Sequence, residues 1–573
     1  MGGMNSQHFG FFLNDPSEKF LPADELTWNC GIDGEDPFGV DRHMRHEVFA
    51  RYTEHIADWL AKEYIKIYEK EGRHAAAWYL VRIQSFLQDR RLNAITDIDE
   101  IVQLAKLKAY QFLVLTQGHT PSQALLTYST WVTAQGVEIP TDKGNDGAFA
   151  RLKHPDWWRR NLHTAYSQDW EEVAIRLGMV SRYAGLYVSD EAVRLRQSQK
   201  ARNRDLLSVL KAVNEEGDEY SLLELAEKSV SNPTNRRAEL MARLAGFEHI
   251  ALTRGDVAHF MTITCPGRMH AVLSKSGDRN PRYDGTTPKQ AQAYLNKIWA
   301  KIRAKLKRQD IRPYGFRIAE PQHDGTPHWH LLLFVAPENC ERMVEIIRDY
   351  ALREDGDEPG AAKHRFTDIV IDYEKGTATG YVAKYISKNI DGFGLEQGLN
   401  GEQPAEGALR TETWASLWKI RQFQQIGGPP VTVYRQLRRL STKITGDERL
   451  EAARAAADTG DWAGFVMAMG GPAQARKNSA ITLAKVWNDE PGKYGEPKGY
   501  EIIGVSHGIL TIVTRNHQWT IEFSPLSTGQ ADVLSEASSA QPGLGPAGDA
   551  AASARLSGVP VSRDENSKLN LRV

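Results

Sequence analysis

TPHWHLLLFV, residues 326–335, sets two histidines one residue apart at the head of an apolar run. The run is short, bounded by turn residues and rich in leucine, which is how a buried strand reads. Alternate side chains of a strand share a face, so His328 and His330 point one way and Trp329 the other. Two imidazoles about 7 Å apart at Cα can converge on one metal ion if a neighbouring strand supplies a third ligand. They can equally be polar core histidines satisfied by hydrogen bonds. An H-x-H pattern also arises by chance in a chain with 17 histidines, so the surroundings must decide.

Working outward, YGFRIAE (314–320) reads as a strand joined to the histidine strand by PQHDGTP, a connection fit for a hairpin. Glu320 ends that first strand and is the candidate third ligand. HFMTITCP (259–266) alternates, is rich in β-formers and stops at Pro266. Thr287-Pro288 opens a helix whose Leu295, Ile298, Trp299, Ile302 and Leu306 form one stripe. Another helix is expected over 338–352, and RFTDIVIDYE (365–374) reads as a fourth strand. After Gly376, TATGYVAKYISKNI reads as a short helix with threonines placed to cap it. Strands and helices in this order imply an α+β domain on a mainly antiparallel sheet.

Residues 43 to 250 read almost wholly as helix, and 410–445 continue in a helical, basic manner. Beyond 446 lies an Ala-rich helical piece. YEIIGVSHGILTIVTRNHQWTIEF (500–523) reads as a small β-meander. From Ser527 the composition is too poor in aromatics to bury a core. The expected organisation is a poorly ordered segment over 1–42, a helical region over 43–254, a sheet domain over 255–445, a small region over 446–526 and a disordered tail over 527–573.

The 573 residues carry a formal net charge of −2, so any binding to nucleic acid must be local. Cys30, Cys265 and Cys340 are far apart and form no CxxC, which argues against a disulfide framework or a cysteine zinc site. No apolar stretch approaches the ~20 residues needed to span a bilayer. The opening residues lack a secretory pattern, so a cytoplasmic location without a membrane partner is expected.

GYVAKYISKN places Tyr381 and Tyr385 at i and i+4, on one face of the helix, with Lys384 and Lys388 on the same stripe. Val382, Ile386 and Ile390 form the adjacent stripe that would dock the helix on the sheet. The spacing alone carries nothing, because Tyr64–Tyr68 and Tyr183–Tyr187 share it. The paired lysines and the place after the histidine strand set 381–388 apart. A phenol near pKa 10 becomes a useful nucleophile when its electrophile is polarised by a metal and nearby cations favour the phenolate. A DNA phosphodiester is such an electrophile. Attack would leave a phosphotyrosine and a free 3′-hydroxyl, and two tyrosines could act in turn.

The order FMTITCP, PHWHLLLF, YVAKYISK resembles the three motifs of the HUH endonucleases in their two-tyrosine, rolling-circle branch. NPTNRRAELMARLAGFE (232–248), RIAEPQHDGTPHWH (317–330) and WASLWKIRQFQQIGGPPVTVYRQLRR (414–439) resemble the replication gene A proteins of tailed temperate phages and their prophages. The resemblance covers roughly 150–445. It implies an HUH-type nuclease domain with a central antiparallel sheet flanked by helices. It also implies a Mg²⁺- or Mn²⁺-dependent nick at a phage origin, single-stranded or supercoiled, that starts and terminates rolling-circle replication. By motif matching, His328 and His330 are metal ligands, and Tyr381 and Tyr385 are nucleophiles. The aliphatic residue usual between the two histidines is Trp329 here.

Residues 297–317 hold eight Lys/Arg against the single acid Asp310. Lys297, Lys301, Arg303, Lys305, Lys307 and Arg308 are therefore candidate phosphate contacts, with a solvated helix face as the other reading. Trp299 and Tyr314 offer base stacking, although Trp299 fits the core better. Arg435, Arg438 and Arg439 line a last candidate contact helix. No GxxxxGK[ST] occurs, so unwinding is expected to need a host helicase. Competing readings are an HUH transposase or relaxase, a non-catalytic DNA-binding replication factor, and a metal-dependent hydrolase of small molecules that has no use for the tyrosines.

Overall fold

The computed structural model describes residues 40–52, 54–87, 98–397, 401–524, 561–562 and 570–571. The expectations for 1–42 and 527–573 lie outside the described residues, apart from 40–42 and the paired dipeptides Val561–Ser562 and Asn570–Leu571.

Among the described residues of the 43–250 stretch, the regular structure is helical except for a short hairpin, β1 (Leu210–Asn214) and β2 (Glu219–Ser221). The central sheet follows. It comprises β3 (Val257–Thr264), β4 (Tyr314–Pro321), β5 (Pro327–Val335), β6 (Phe366–Val370) and β7 (Phe423–Ile426). All neighbours pair antiparallel, in the spatial order β6-β3-β5-β4-β7. The histidine strand β5 is therefore the middle strand, which explains its almost unbroken apolar run: both of its faces are covered.

Each face has its own core. On one side Met261, Ile263, Trp329, Leu331, Leu333 and Val335 join a buried cluster with helices Pro288–Arg308 and Cys340–Leu352 and with the N-terminal helices. On the other, Phe260, Phe316, Ile318, Leu332 and Phe334 pack under helices Pro233–Arg254, Ala378–Ile390, Val431–Leu437, Glu448–Thr459 and Trp462–Ala468. The expected α+β class and antiparallel sheet are present. Thr287 caps helix Pro288–Arg308 in a full capping box, with Pro288 in its first turn as read from the sequence.

Several elements differ from the reading of the chain. The fourth strand is shorter than 365–374, ending at Val370, because Asp372 to Lys375 close a turn. β7 interrupts the 410–445 stretch. Its FQQI carries little β signal and forms because β4 offers an open edge, Gly315 to Ile318 pairing with Ile426 to Phe423. The 500–523 meander is not a unit. β9 (Pro497–His507) pairs with β8 (Thr482–Pro491) and β10 (Leu510–Val513), whereas β11 (Trp519–Phe523) pairs with β1, some 300 residues earlier in the chain. No local pattern announces a pairing of that separation.

Candidate active site

The hairpin of β4 and β5 places Glu320 directly across from His328, and His330 across from Ile318 and Thr262. One sheet face thus carries Glu320, His328 and His330, while Trp329 turns into the opposite core and donates its indole N–H to Gln292 (2.9 Å). The two Nε2 atoms approach to 3.0 Å, and His330 Nε2 lies 3.9 Å from Glu320 Oε2. One ligand atom from each of the three residues lies within 4.8 Å of the others. The remaining nitrogen of His330 meets Thr262 Oγ1 at 2.9 Å; with the hydrogen on that nitrogen, Nε2 offers its lone pair to the cluster. His328 Nδ1 is buried without a hydrogen-bond partner.

This donor set fits a divalent cation. Two neutral imidazoles and a carboxylate meet at one point, an arrangement that bridges of hydrogen alone leave poorly satisfied. Burial, together with the neighbouring His330 and Lys388, drives the His328 imidazole down to about 3. Burial, with Lys388 and Lys384, holds His330 at about 3 as well. Both rings are therefore neutral, and able to bind a metal, throughout the physiological range.

The tyrosine helix, Ala378–Ile390, lies over this face. Thr377 caps it through Gly380 N–H, as its sequence suggested. The buried Glu248 carboxylate adds a second cap, accepting from Ala378 N–H (2.6 Å) and Thr379 N–H (3.1 Å). Val382, Ile386 and Ile390 are buried against the sheet. That docking rolls the tyrosine stripe toward the histidines. The Tyr385 ring stands 4.5 Å from the His330 ring, and Tyr381 and Tyr385 flank Phe260 at 4.9 and 5.1 Å. Lys384 Nζ sits about equally over both phenols, 5.1 and 5.0 Å from their centroids. Burial, Tyr381 and Glu320 push the Tyr385 phenol up to about 12, so it is protonated at neutral pH.

Lys388 turns inward instead. Its ammonium is 3.2 Å from Glu320 Oε2, and Asn389 Nδ2 donates to Glu320 Oε1 at 2.6 Å. Burial opposes charge on Lys388, but Glu320 and Tyr187 outweigh it and leave its pKa raised. The fully buried Glu320 is thus held at both oxygens. Asn389 and Thr262 were missed in the sequence. Thr262 shares its strand parity with Thr264, and Asn389 follows Lys388 directly, but nothing local says that either side chain faces a carboxylate or an imidazole.

The expected DNA contacts divide by layer. Lys297, Lys301, Arg303, Lys305, Lys307 and Arg308 lie on helix Pro288–Arg308, which covers the sheet face away from the histidines; all but the partly covered Lys305 are exposed. The structure does not bring them to the tyrosines. Arg435 and Arg438 lie on helix Val431–Leu437 and its C-cap, on the histidine side. There Arg435 pairs with Glu239 (2.8 Å) and Arg438 lies 5.8 Å from the Tyr434 ring. Tyr314 corrects an expectation: it is 2% exposed and donates its hydroxyl to Asp256 (2.7 Å), so its ring is closed to bases. Trp299 is buried in the core.

A two-histidine, one-carboxylate cluster thus lies on one face of an antiparallel sheet, beneath a helix that turns two tyrosines toward it. Residues 101–393 match the family described as Bacteriophage replication gene A protein (GPA). The replication gene A protein of Escherichia phage 186 is 44% identical over 539 residues, covering 90% of this chain and 76% of that protein. The replication gene A protein of Escherichia phage P2 is 38% identical over 65% of this chain. A probable replication endonuclease from a prophage-like region of Salmonella paratyphi A is 38% identical over 62% of it. The chain spans about half the length of these last two relatives, 51% and 47%. No solved structure matches. The chain belongs to the bacteriophage replication gene A protein family. Among the described residues, no helix is long and apolar enough to cross a membrane.

Proposed function

We propose that this protein is a replication initiator that nicks one DNA strand at a phage origin by tyrosine transesterification, with an HUH-type domain over 255–445. The observation that carries the proposal is the placement of Tyr385 4.5 Å from His330, on the face where Glu320 and both histidines converge. The names of relatives, replication gene A protein and probable replication endonuclease, support the same reading.

A magnesium or manganese ion held by His328, His330 and Glu320 supplies Lewis-acid polarisation of the scissile phosphate when bound. The chain's own groups do the rest. A tyrosine Oη forms a bond to phosphorus, its proton leaving to solvent, and the bond from phosphorus to O3′ breaks. The DNA keeps a free 3′-hydroxyl that takes up a proton and can prime synthesis, while its 5′ end stays on the protein. Lys384, over both rings, favours the anionic phenol and the phosphate alike. The second tyrosine repeats the attack at the regenerated junction, and the 3′-hydroxyl of the displaced strand then attacks the first phosphotyrosine and reseals it. Strand separation is assigned to a host helicase, and the site of action to the host cytoplasm. Family membership favours this role over a transposase or relaxase.

The test is incubation with supercoiled or single-stranded origin DNA and Mg²⁺ or Mn²⁺, followed by denaturing electrophoresis. A protein band bound to a DNA 5′ end is expected. The double variant Tyr381→Phe, Tyr385→Phe should give none. Persistent nicking by that variant would show that other groups attack the phosphate.

A further inference from the structure

Between helices Pro155–Leu177 and Asp190–Ser208 the chain turns back toward the active site, and this turn is held from several sides. Gly185 N–H donates to Met179 O (2.9 Å), and any side chain at Gly185 would meet Val188 O at 2.6 Å. Tyr187 N–H donates to His323 O (3.3 Å) in the β4–β5 loop. The buried Glu171 carboxylate accepts from Ser189 N–H (2.8 Å) and Oγ (2.6 Å). Arg410 donates to Val188 O (3.1 Å) and pairs with Asp190. Tyr187, at the centre, has φ +70°, in the left-handed region that a bulky side chain rarely adopts, and is 2% exposed. Such a conformation persists where the surroundings over-determine it, and it collects at functional sites.

The strained backbone aims one side chain. Lys388 Nζ lies 5.2 Å from the Tyr187 ring centroid, and the Tyr187 hydroxyl donates to Glu402 Oε1 (3.0 Å). The same ammonium is 3.2 Å from Glu320 Oε2. A chain of contacts thus runs from Glu402 through Tyr187 and Lys388 to the carboxylate of the candidate metal cluster. Lysine has a long flexible stem and seldom stays in one place unaided. Here an aromatic face and a carboxylate confine it from two sides.

We propose that Tyr187 is a positioning residue. It seats the Lys388 ammonium against Glu320, so the helical region before the sheet completes the active site. Its effect on nicking rests on the endonuclease reading above; its effect on Lys388 does not.

The test uses the full chain and two variants, Tyr187→Leu, which removes ring and hydroxyl, and Tyr187→Phe, which keeps the ring. Circular dichroism confirms that each variant is folded. Acetylation by an N-hydroxysuccinimide ester, mapped by peptide mass spectrometry, reports the seat directly. Lys388 labelling should rise about fivefold in Tyr187→Leu and about twofold in Tyr187→Phe, with the exposed Lys384 unchanged as the internal control. The rate of covalent adduct formation should fall about tenfold in Tyr187→Leu. Added to Lys388→Met, the same substitution should cost no more than about twofold, because the residue it acts through is gone. Wild-type labelling of Lys388 in both variants, or an equal loss of rate in both backgrounds, overturns the proposal. If the wild-type chain forms no adduct, the endonuclease reading fails while the labelling still decides the seat.

Discussion

His328 and His330 show how a pair of residues gains meaning from its neighbours. Each imidazole alone is a buried polar group; with Glu320 opposite, the pair becomes a candidate ligand set. His330→Ala is expected to abolish metal-dependent cleavage while DNA retention on a filter stays within about twofold of wild type, since the ring is buried and uncharged and offers a phosphate no ion pair. Unchanged cleavage would remove His330 from the ligand set. The low pKa of both rings also predicts a pH effect on the metal-free protein. Their folded values, about 3, lie below the unfolded value of 6.5. Between those limits the unfolded chain binds protons that the folded chain refuses. This contribution is therefore fully present above about pH 6.5 and is lost progressively as pH falls toward about 3. Urea midpoints at about pH 7 and about pH 4.5 should differ less in a His328→Gln, His330→Gln variant than in wild type. An equal fall in both proteins would contradict the assignment. That His328 and His330 share a strand face, and Tyr381 and Tyr385 a helix face, was legible in the sequence, because strand parity and helical spacing are local rules. Asn389, Thr262 and Tyr187 were not, because their roles depend on which surface they meet.

Among the elements, the tyrosine helix depends most on a partner elsewhere in the chain. Its thirteen residues, Ala378–Ile390, are few for a helix to persist alone, and its first turn leans on Glu248 from helix Pro233–Arg254. Glu248→Ala leaves two N–H groups at that end without their acceptor and removes a charge that suits the helix dipole. A loss of about 1–2 kcal/mol in urea unfolding is expected, with slower adduct formation, because the tyrosines ride on this helix. A variant with wild-type stability and rate would show that Thr377 suffices. The Thr377 cap was readable from sequence; the Glu248 cap, 130 residues away, was not. The basic helix Pro288–Arg308 teaches the same lesson in reverse. Its apolar stripe and caps were evident, but its stripe docks on the face away from the histidines, so its charges point away from the chemistry.

At the scale of the whole molecule, the sheet separates two cores that recruit distant parts of the chain. The face behind the histidines shares one buried cluster with helices that begin before residue 90. The face bearing them is closed by segments on both sides of the sheet in sequence, including Trp462 and Phe465. A fragment of residues 229–524 would lose the N-terminal helices of the first cluster, the β1 partner of β11 and Tyr187. It is expected to expose apolar surface and aggregate, which solubility and binding of a hydrophobic dye would report. A soluble fragment that unfolds cooperatively would show that the helical region is dispensable for folding.

The linear chain by itself determined the hairpin that carries Glu320 and the histidines, the helix that aligns two tyrosines, and the α+β class, since each follows from side-chain periodicity within a few turns or one strand pair. Only the tertiary structure decided that the tyrosine helix rolls its phenols onto the histidine face, that the basic helix lies behind the sheet, and that Tyr187 reaches Lys388. Those outcomes depend on which apolar surfaces bury one another, and burial is non-directional and indifferent to separation along the chain.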